Sequence, residues 1–305
     1  MAPDLTSIPS GAVTRFAPSP TGMLHLGHVA NAVWTWGVAQ ATGGRVVVRL
    51  EDHDRGRCKA EYDSAILADL DWLGLLARAT AESVMARPSP FRQSDNPGRY
   101  QAALERMASL APVYACTCSR KQIQAVVGEL ATGEELRYPG TCRRRGSAIG
   151  PGRGIRVVMP EIIIGFDDLR LGHQTQQPSQ QCGDLLLKDS TGNWTYQFSV
   201  VVDDMADGID LVIRGEDLID STGRQIVVGN LLGRATPARY LHHPLMLADN
   251  GAKLSKRDGA PGLDELRARG ESPEEVLGRA AYATGLIDPA RPVAANELGS
   301  LFVGA

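Results

Sequence analysis

The feature that most restricts the fold of this chain is the alternation of strand-like and helix-like segments in its first part. Ala12 to Phe16 is apolar and stops at Ala17-Pro18-Ser19-Pro20, where two prolines end a strand and impose an extended loop. A helical pattern follows from about His28 to Ala41 and stops at Thr42-Gly43-Gly44, and Arg45 to Leu50 reads as a buried parallel strand. This order predicts a Rossmann-like, doubly wound α/β sheet, in which ligands bind beyond the carboxyl ends of the strands.

The remaining elements are predicted from the same periodicities. Further helices are expected at Tyr62 to Leu75, Arg99 to Ser109, Asp220 to Leu232, Leu263 to Arg269 and Pro273 to Gly285. Strands are expected at Ile155 to Val158, Glu161 to Phe166, Asp184 to Leu187, Trp194 to Asp203 and Leu211 to Arg214, with a polar loop at Gln174 to Gln181.

These elements suggest four regions of the chain. Residues 1–111 form the first half of the α/β domain, and residues 112–195 form a mixed insertion whose cysteines lie in 112–150. Residues 196–247 form the second half of the sheet, and 248–305 hold a basic loop and a short helical region.

Composition narrows the class of protein. With 43% hydrophobic and 22% charged residues, the chain is a globular protein and not a disordered one. No apolar run approaches the ~20 residues of a membrane span, and Met1 to Ser10 lacks the features of a secretory signal, so we expect a cytoplasmic protein without membrane contact. The five cysteines are few for a chain of this length, and their number is odd, so we do not expect a disulfide framework. A metal site or buried thiols are favoured instead.

A first chemical motif lies where the loop enters the first helix. His25 and His28 can donate hydrogen bonds to phosphate oxygens, and Gly27 lets a nucleotide approach the backbone closely. The start of a helix also presents backbone N–H groups and the positive end of the helix dipole. Alone, the pair could equally be loop and cap histidines.

A second motif is the basic loop Gly251-Ala252-Lys253-Leu254-Ser255-Lys256-Arg257. Mobile cations such as Lys253 and Lys256 can close over a triphosphate and stabilise charge on departing pyrophosphate. A solvated basic loop is the commoner role of such runs.

Together, the two motifs resemble the HIGH and KMSKS signatures of class I aminoacyl-tRNA synthetases. Arg15-Phe-Ala-Pro-Ser-Pro-Thr-Gly22, Arg49-Leu-Glu-Asp-His-Asp54, Tyr196 to Asp204 and Ile213 to Leu218 resemble glutamyl-tRNA synthetases in particular. This resemblance implies a class I fold that uses ATP with Mg²⁺. It also implies an L-glutamate site formed by Arg15, Phe16, Ala17, Pro18, Ser19, Glu51, Tyr196 and Arg214, with His25, Gly27, His28, Lys253 and Lys256 acting on ATP.

The implied roles follow the chemistry of each side chain. Arg15 and Arg214 would hold the glutamate side-chain carboxylate, because a guanidinium pairs with a carboxylate bidentately. Glu51 would accept the α-ammonium group, and Tyr196 would add a hydroxyl contact. Found singly, Arg15 would more often be a surface arginine and Tyr196 a packing residue. Glu51 would more often be a solvated strand end or a salt-bridge partner for Arg49 or Arg55.

The cysteines suggest a metal site. Cys116 and Cys118 form a C-x-C pair, and Cys142 follows at a distance that would allow a third thiolate to bind zinc, which needs four ligands in a closed structural site. Spacing alone does not select the fourth ligand. Glutamyl-queuosine tRNA(Asp) synthetases carry a site of this kind, and the resemblance to them implies Tyr138 and one structural Zn²⁺ per chain. Reduced, packed thiols are the alternative to a metal site. The arginines after Cys142 could bind RNA phosphate or form a solvated face.

The short segment after the basic loop supports the same family. Only 48 residues follow Arg257 (305 minus 257), enough for a helical stem-contact region but not for an anticodon-binding domain. The resemblance then implies a monomer that forms glutamyl-adenylate without tRNA and passes the glutamate to queuosine in the anticodon arm of tRNA(Asp). The alternatives are a truncated glutamyl-tRNA synthetase that charges the tRNA 3′ end, a catalytically silent RNA-binding paralogue, and a pantothenate-synthetase-like nucleotidyltransferase.

Overall fold

The computed structural model describes residues 3–54, 56–131, 133–246 and 261–303. The strands are β1 (Val13–Phe16), β2 (Arg45–Val48), β3 (Val113–Cys116), β4 (Gly154–Val157), β5 (Ile164–Asp168), β6 (Gly172–Gln176), β7 (Leu185–Lys188), β8 (Leu211–Gly215) and β9 (Arg239–His243). The helices are α1 (Leu26–Thr42), α2 (Ala60–Trp72), α3 (Arg78–Met85), α4 (Pro97–Leu110), α5 (Arg120–Val127), α6 (Pro178–Gln181), α7 (Tyr196–Ala206), α8 (Thr222–Leu231), α9 (Leu263–Ala268) and α10 (Pro273–Ala283), with 3₁₀ turns at Gln93–Asp95, Glu216–Ser221 and Ala295–Phe302.

The predicted α/β sheet is confirmed. β1 and β2 pair in parallel around the crossover helix α1, which ends where the left-handed Gly43 (φ 64°) donates its N–H to Ala39. β8 pairs in parallel with β9, which pairs in parallel with β5, and β6 adds an antiparallel edge. The two halves meet at β1 and β8, where the Val13 N–H donates to Asp210 Oδ1 (2.8 Å) and the Asp210 N–H donates to the Val13 carbonyl (3.0 Å). The strand order therefore reverses between β1 and β8, which is where such sheets bind ligands.

A second sheet lies within the predicted insertion. β3, β4 and β7 form an antiparallel sheet in that order, and the cysteine-containing segment adjoins it. The hairpin of β5 and β6 instead belongs to the sheet of β8 and β9. The division of the chain into four regions stays an interpretation.

Two of the predicted secondary-structure assignments are wrong, and β3, α5 and β9 have no predicted counterpart. The sequence predicts a strand at Trp194 to Asp203, but α7 occupies this segment and Tyr196 is its first residue. α7 packs against both α4 and α8, so it buries residues on most of its sides, and a run such as Val200 to Val202 then looks like a strand. The expected loop at Gln174 to Gln181 contains the end of β6 and the short helix α6, and α3 also has no predicted counterpart.

The two predicted C-terminal helices, α9 and α10, are present, and the C-terminal region supports α1. α10 and the 3₁₀ turn Ala295–Phe302 both pack on α1. Gly37 of α1 is required there, since a Cβ on it would lie 2.2 Å from Cε2 of Phe302. Within the described residues, no helix is both long enough and apolar enough to cross a membrane.

Candidate active site

A cavity of about 590 Å³ opens at the carboxyl ends of β1 and β8. It brings together all the predicted glutamate and ATP residues that the structure describes: Arg15, Phe16, Ala17, Pro18, Ser19, His25, Gly27, His28, Glu51, Tyr196 and Arg214. The other two, Lys253 and Lys256, lie outside the described residues. Sequence reasoning did not single out Asn31 and His243, which also line the cavity. The shared location agrees with the predicted roles, which remain to be tested.

The two histidines cap α1 reciprocally. His25 is the N-cap residue, and its Nδ1 accepts a hydrogen bond from the Gly27 N–H (3.1 Å), while Nδ1 of His28 accepts from the His25 N–H (3.2 Å). Each Nδ1 is therefore an acceptor, which leaves the proton of a neutral ring on Nε2. The N–H groups of Gly27 and His28 are both used within this cap, contrary to the expectation that they would face a phosphate.

Arg15 is buried at the base of the cavity and anchored on one side. Its Nε donates to Oδ2 of Asp204 (3.2 Å) and its Nη1 donates to the Ile213 carbonyl (3.2 Å), so the guanidinium bridges β1, α7 and β8. Asp204 also accepts from Arg49 Nη2 (2.8 Å). One carboxylate therefore orients two arginines.

Arg49 is the centre of a buried ion-pair cluster that the sequence did not reveal. It is fully buried, and its nitrogens lie 2.8 to 3.0 Å from carboxylate oxygens of Glu51, Asp204 and Asp207. Burial raises the pKa of Glu51, and the charges of Arg49 and Arg15 oppose that rise. The cluster thus fixes the Glu51 carboxylate at the cavity wall.

Arg214 lines the same cavity in a different environment. It is 4% exposed, and its guanidinium donates to three neutral groups: His242 Nε2 (3.0 Å), Gln225 Oε1 (2.7 Å) and Thr222 Oγ1 (2.8 Å). Arg214 forms no ion pair within the described part of the chain. A buried arginine without a carboxylate partner at a cavity wall is suited to receive an anionic ligand.

The predicted cysteine cluster is assembled away from this cavity. The Sγ atoms of Cys116, Cys118 and Cys142 all lie within 4.8 Å of one another, and such a group could hold a metal ion. The Tyr138 hydroxyl lies 3.4 Å from Cys116 Sγ and 3.9 Å from Cys118 Sγ. Burial alone would raise the pKa of Cys142, but hydrogen bonds from the Thr117 amide and the Tyr138 hydroxyl lower it to about 6. That favours the thiolate, which is the metal-binding form.

Two of the arginines near this cluster have structural partners. Arg143 pairs bidentately with Asp184 (2.8 and 2.6 Å), and the guanidinium of Arg156 lies 3.7 Å from the centre of the Tyr138 ring. Both hold the cysteine segment on its sheet, so neither is a simple surface charge for RNA.

Comparison with known proteins agrees with this geometry. Residues 12–282 match the family of tRNA synthetases class I (E and Q), catalytic domain. A glutamyl-Q tRNA(Asp) synthetase of Symbiobacterium thermophilum is 41% identical over 297 residues, covering 94% of this chain and 91% of the relative. One from Cupriavidus metallidurans is 41% identical over 285 residues, covering 92% and 87%.

The fold also matches a solved structure. A glutamate tRNA ligase from Elizabethkingia meningosepticum, solved in complex with its amino acid, superposes with a TM-score of 0.78 at 25% identity. The match covers 95% of this chain, which spans 64% of the length of that protein.

The fold, the cavity and these matches define the catalytic domain of a class I tRNA synthetase of the E and Q type. The matches to individual proteins identify one family within that class. The chain belongs to the glutamyl-Q tRNA(Asp) synthetase family, which confirms the resemblance seen in its motifs.

Proposed function

We propose that this chain activates L-glutamate with ATP and passes the glutamyl group to queuosine in the anticodon arm of tRNA(Asp). The observation that carries the proposal is the buried guanidinium of Arg214, which has no ion pair among the described residues and lines the same cavity as Arg15, in a chain of this family. Both ATP and tRNA are cytoplasmic molecules, so we place the reaction in the cytoplasm.

Glutamate would be bound through its two charged ends. Arg214 and the outer nitrogens of Arg15 would hold the side-chain carboxylate, each as a charge-assisted donor. Glu51, fixed by Arg49, would accept the α-ammonium group. The Tyr196 hydroxyl would add a polar contact, with the backbone and side chains of residues 16–19 completing the wall.

ATP would lie along the start of α1. The Nε2–H groups of His25 and His28 would donate to phosphate oxygens, and Gly27 would leave room for the nucleotide. Lys253 and Lys256 would approach the triphosphate from the other side, and Mg²⁺ would neutralise phosphate charge.

Two group transfers complete the reaction. An α-carboxylate oxygen of glutamate attacks the α-phosphorus of ATP, and pyrophosphate leaves with the electrons of the broken P–O bond. A hydroxyl of the queuosine cyclopentene ring then attacks the carbonyl carbon of the adenylate; its proton passes to solvent and AMP leaves. No protein nucleophile is needed, so the protein contributes positioning and charge stabilisation.

The cysteine cluster would hold one structural zinc ion. A tetrahedral site with Zn–S bonds of ~2.3 Å has S–S edges of about 3.8 Å, and Cys118 Sγ lies 3.5 Å from Cys142 Sγ. Tyr138 would be the fourth ligand, since its hydroxyl lies near both Cys116 and Cys118 and is oriented by the Cys142 N–H (2.8 Å). We propose a monomeric enzyme, in which zinc stabilises the cysteine-containing segment beside the sheet of β3, β4 and β7.

The site of transfer tests the proposal. Radiolabelled glutamate, ATP and enzyme are incubated with tRNA(Asp) that contains or lacks queuosine, each with or without its terminal adenosine. Label should be retained on queuosine-containing tRNA even when the terminal adenosine is absent, and should not appear on tRNA without queuosine.

The same samples distinguish the alternatives. Label that depends on the terminal adenosine and not on queuosine would identify a glutamyl-tRNA synthetase. If neither glutamate activation nor transfer is detected with any of the tRNAs, the protein is a silent RNA-binding paralogue.

A further inference from the structure

A series of buried, hydrogen-bonded side chains leads from Arg214 away from the cavity. Nε of Arg214 always carries a hydrogen, and it lies 3.0 Å from Nε2 of His242. That Nε2 must therefore be unprotonated, and the Thr222 hydroxyl at 3.3 Å can donate to it as well. The ring proton then lies on Nδ1, which donates to Oδ2 of Asp168 (2.7 Å).

Asp168 is built to keep this tautomer. It is buried, as is His242, and its Oδ2 also accepts from the His242 N–H (3.1 Å). Its Oδ1 accepts the N–H groups of Arg170 (3.1 Å) and Leu171 (2.9 Å), which follow it in the turn between β5 and β6. Every contact that Asp168 makes here comes from a donor, so the carboxylate favours the Nδ1–H form of His242.

A second series of hydrogen-bonded side chains holds the Nη1 end of the guanidinium. Gln225 accepts from Arg214 Nη1, and its own amide donates to Gln197 Oε1 (2.8 Å). Gln197 in turn donates to Ser221 Oγ (2.8 Å). With Nε, one Nη1 proton and one Nη2 proton used, two N–H donors of Arg214 remain, one on each Nη atom.

This arrangement orients the guanidinium without placing a carboxylate against it. Burial lowers the pKa of His242, and the Arg214 charge adds to this while the Asp168 hydrogen bond opposes it, so a neutral imidazole is favoured. Arg214 has no ion pair among the described residues, and a carboxylate in the cavity would give it one. A carboxamide would bring an NH₂ donor towards N–H donors and leave a buried hydrogen bond unmade.

We propose that Asp168 and His242 are positioning residues for amino-acid specificity, which fix Arg214 so that the cavity selects the carboxylate of glutamate over the carboxamide of glutamine. This inference rests on the proposed role of Arg214 in binding glutamate. Neither residue lines the cavity, so both act through Arg214.

The test uses Asp168→Asn and His242→Leu, with His242→Gln as the conservative variant. The amide introduced by Asp168→Asn would favour the opposite tautomer of His242, which would point an N–H at Arg214. The His242→Leu change removes the acceptor altogether, whereas His242→Gln offers a carbonyl oxygen near the position of Nε2. The chain supplies a matched control, because His173 and Asp167 form an exposed pair at the same 2.7 Å distance on the same hairpin.

The readouts are KM for glutamate, KM for ATP, and the ratio of kcat/KM for glutamate to that for glutamine in ATP–pyrophosphate exchange. Asp168→Asn and His242→Leu should raise the glutamate KM about tenfold to 100-fold and lower the selectivity ratio by a similar factor, as expected for one charge-assisted hydrogen bond. The ATP KM should change less than about threefold. His242→Gln should recover part of the selectivity, and Asp167→Asn and His173→Asn should match the wild type.

The outcomes separate the two claims. The wild type could activate glutamate while the Asp168 and His242 variants keep its selectivity, or lose glutamate and ATP binding equally. Either result would refute the positioning role of Asp168 and His242 and leave the proposed function standing. If the wild type shows no glutamate-dependent exchange, the proposed function fails and this inference fails with it. Thermal denaturation of each variant identifies any that does not fold, and His242→Gln then decides the matter.

Discussion

Replacing Arg49 by lysine tests the buried ion-pair cluster most sharply, because it keeps the charge and changes only the geometry. Arg49 reaches Glu51 and Asp204 through Nη2 and Asp207 through Nη1. A lysine has one nitrogen, which cannot occupy both positions, so at least one charge-assisted hydrogen bond is lost. Such a bond contributes about 1.5–3 kcal/mol, and Arg49 is fully buried.

The expected loss in the free energy of unfolding is therefore about 1.5–3 kcal/mol, or roughly 2–5 °C in Tm for a chain of this size. The same change should raise the glutamate KM more than the ATP KM, because Arg49 orients Glu51 directly and orients Arg15 through the shared carboxylate of Asp204. Thermal denaturation without ligands and steady-state exchange kinetics measure the two effects.

A matched control is Arg78→Lys, which alters an exposed pair with Glu82 at 2.9 Å. Exposed pairs contribute little, so Tm should change by no more than about 1 °C. If Arg49→Lys behaved like this control in both Tm and glutamate KM, the view that the cluster supports the glutamate site would be wrong.

Three further predictions concern metal and pH. Protein purified without chelator should contain about one zinc per chain by elemental analysis, and Cys142→Ser should lose it; an empty wild-type site would refute the zinc proposal. Because burial raises the pKa of Glu51, its carboxylate is lost at a higher pH than usual, so kcat/KM for glutamate should fall on acidification from above pH 4.5, and Glu51→Gln should remove that limb. Burial lowers the pKa of His243 from 6.5 to about 4, so the unfolded chain binds more protons in this range and stability should decrease by at most about 3 kcal/mol as pH falls from 6.5 to 4; a His243→Gln variant with the same pH dependence would contradict this.

Much of the site could be predicted because it lies in local segments at strand ends. Arg15 lies near the end of one predicted parallel strand and Glu51 directly follows another, and the carboxyl ends of such strands converge at one edge of the sheet. His25 and His28 are three residues apart at the start of a helix, so their meeting is a local event.

The supporting residues could not be predicted because their partners are remote in sequence. Asp204 lies 155 positions from Arg49, and His242 lies 74 positions from Asp168. No periodicity links such pairs, and each acidic residue alone looks like a solvated charge. A buried helix such as α7 was likewise missed, because burial on most sides removes the amphipathic pattern by which helices are recognised.

The central claim is that the cavity between β1 and β8 recognises and activates glutamate without help from RNA. The direct measurement is incorporation of labelled pyrophosphate into ATP by the purified, RNA-free chain, with glutamate, glutamine or aspartate as the amino acid. We predict exchange with glutamate and at least about 100-fold less with glutamine, since the carboxamide leaves buried donors unpaired. Exchange that requires tRNA, or that runs equally well with glutamine, would contradict the account.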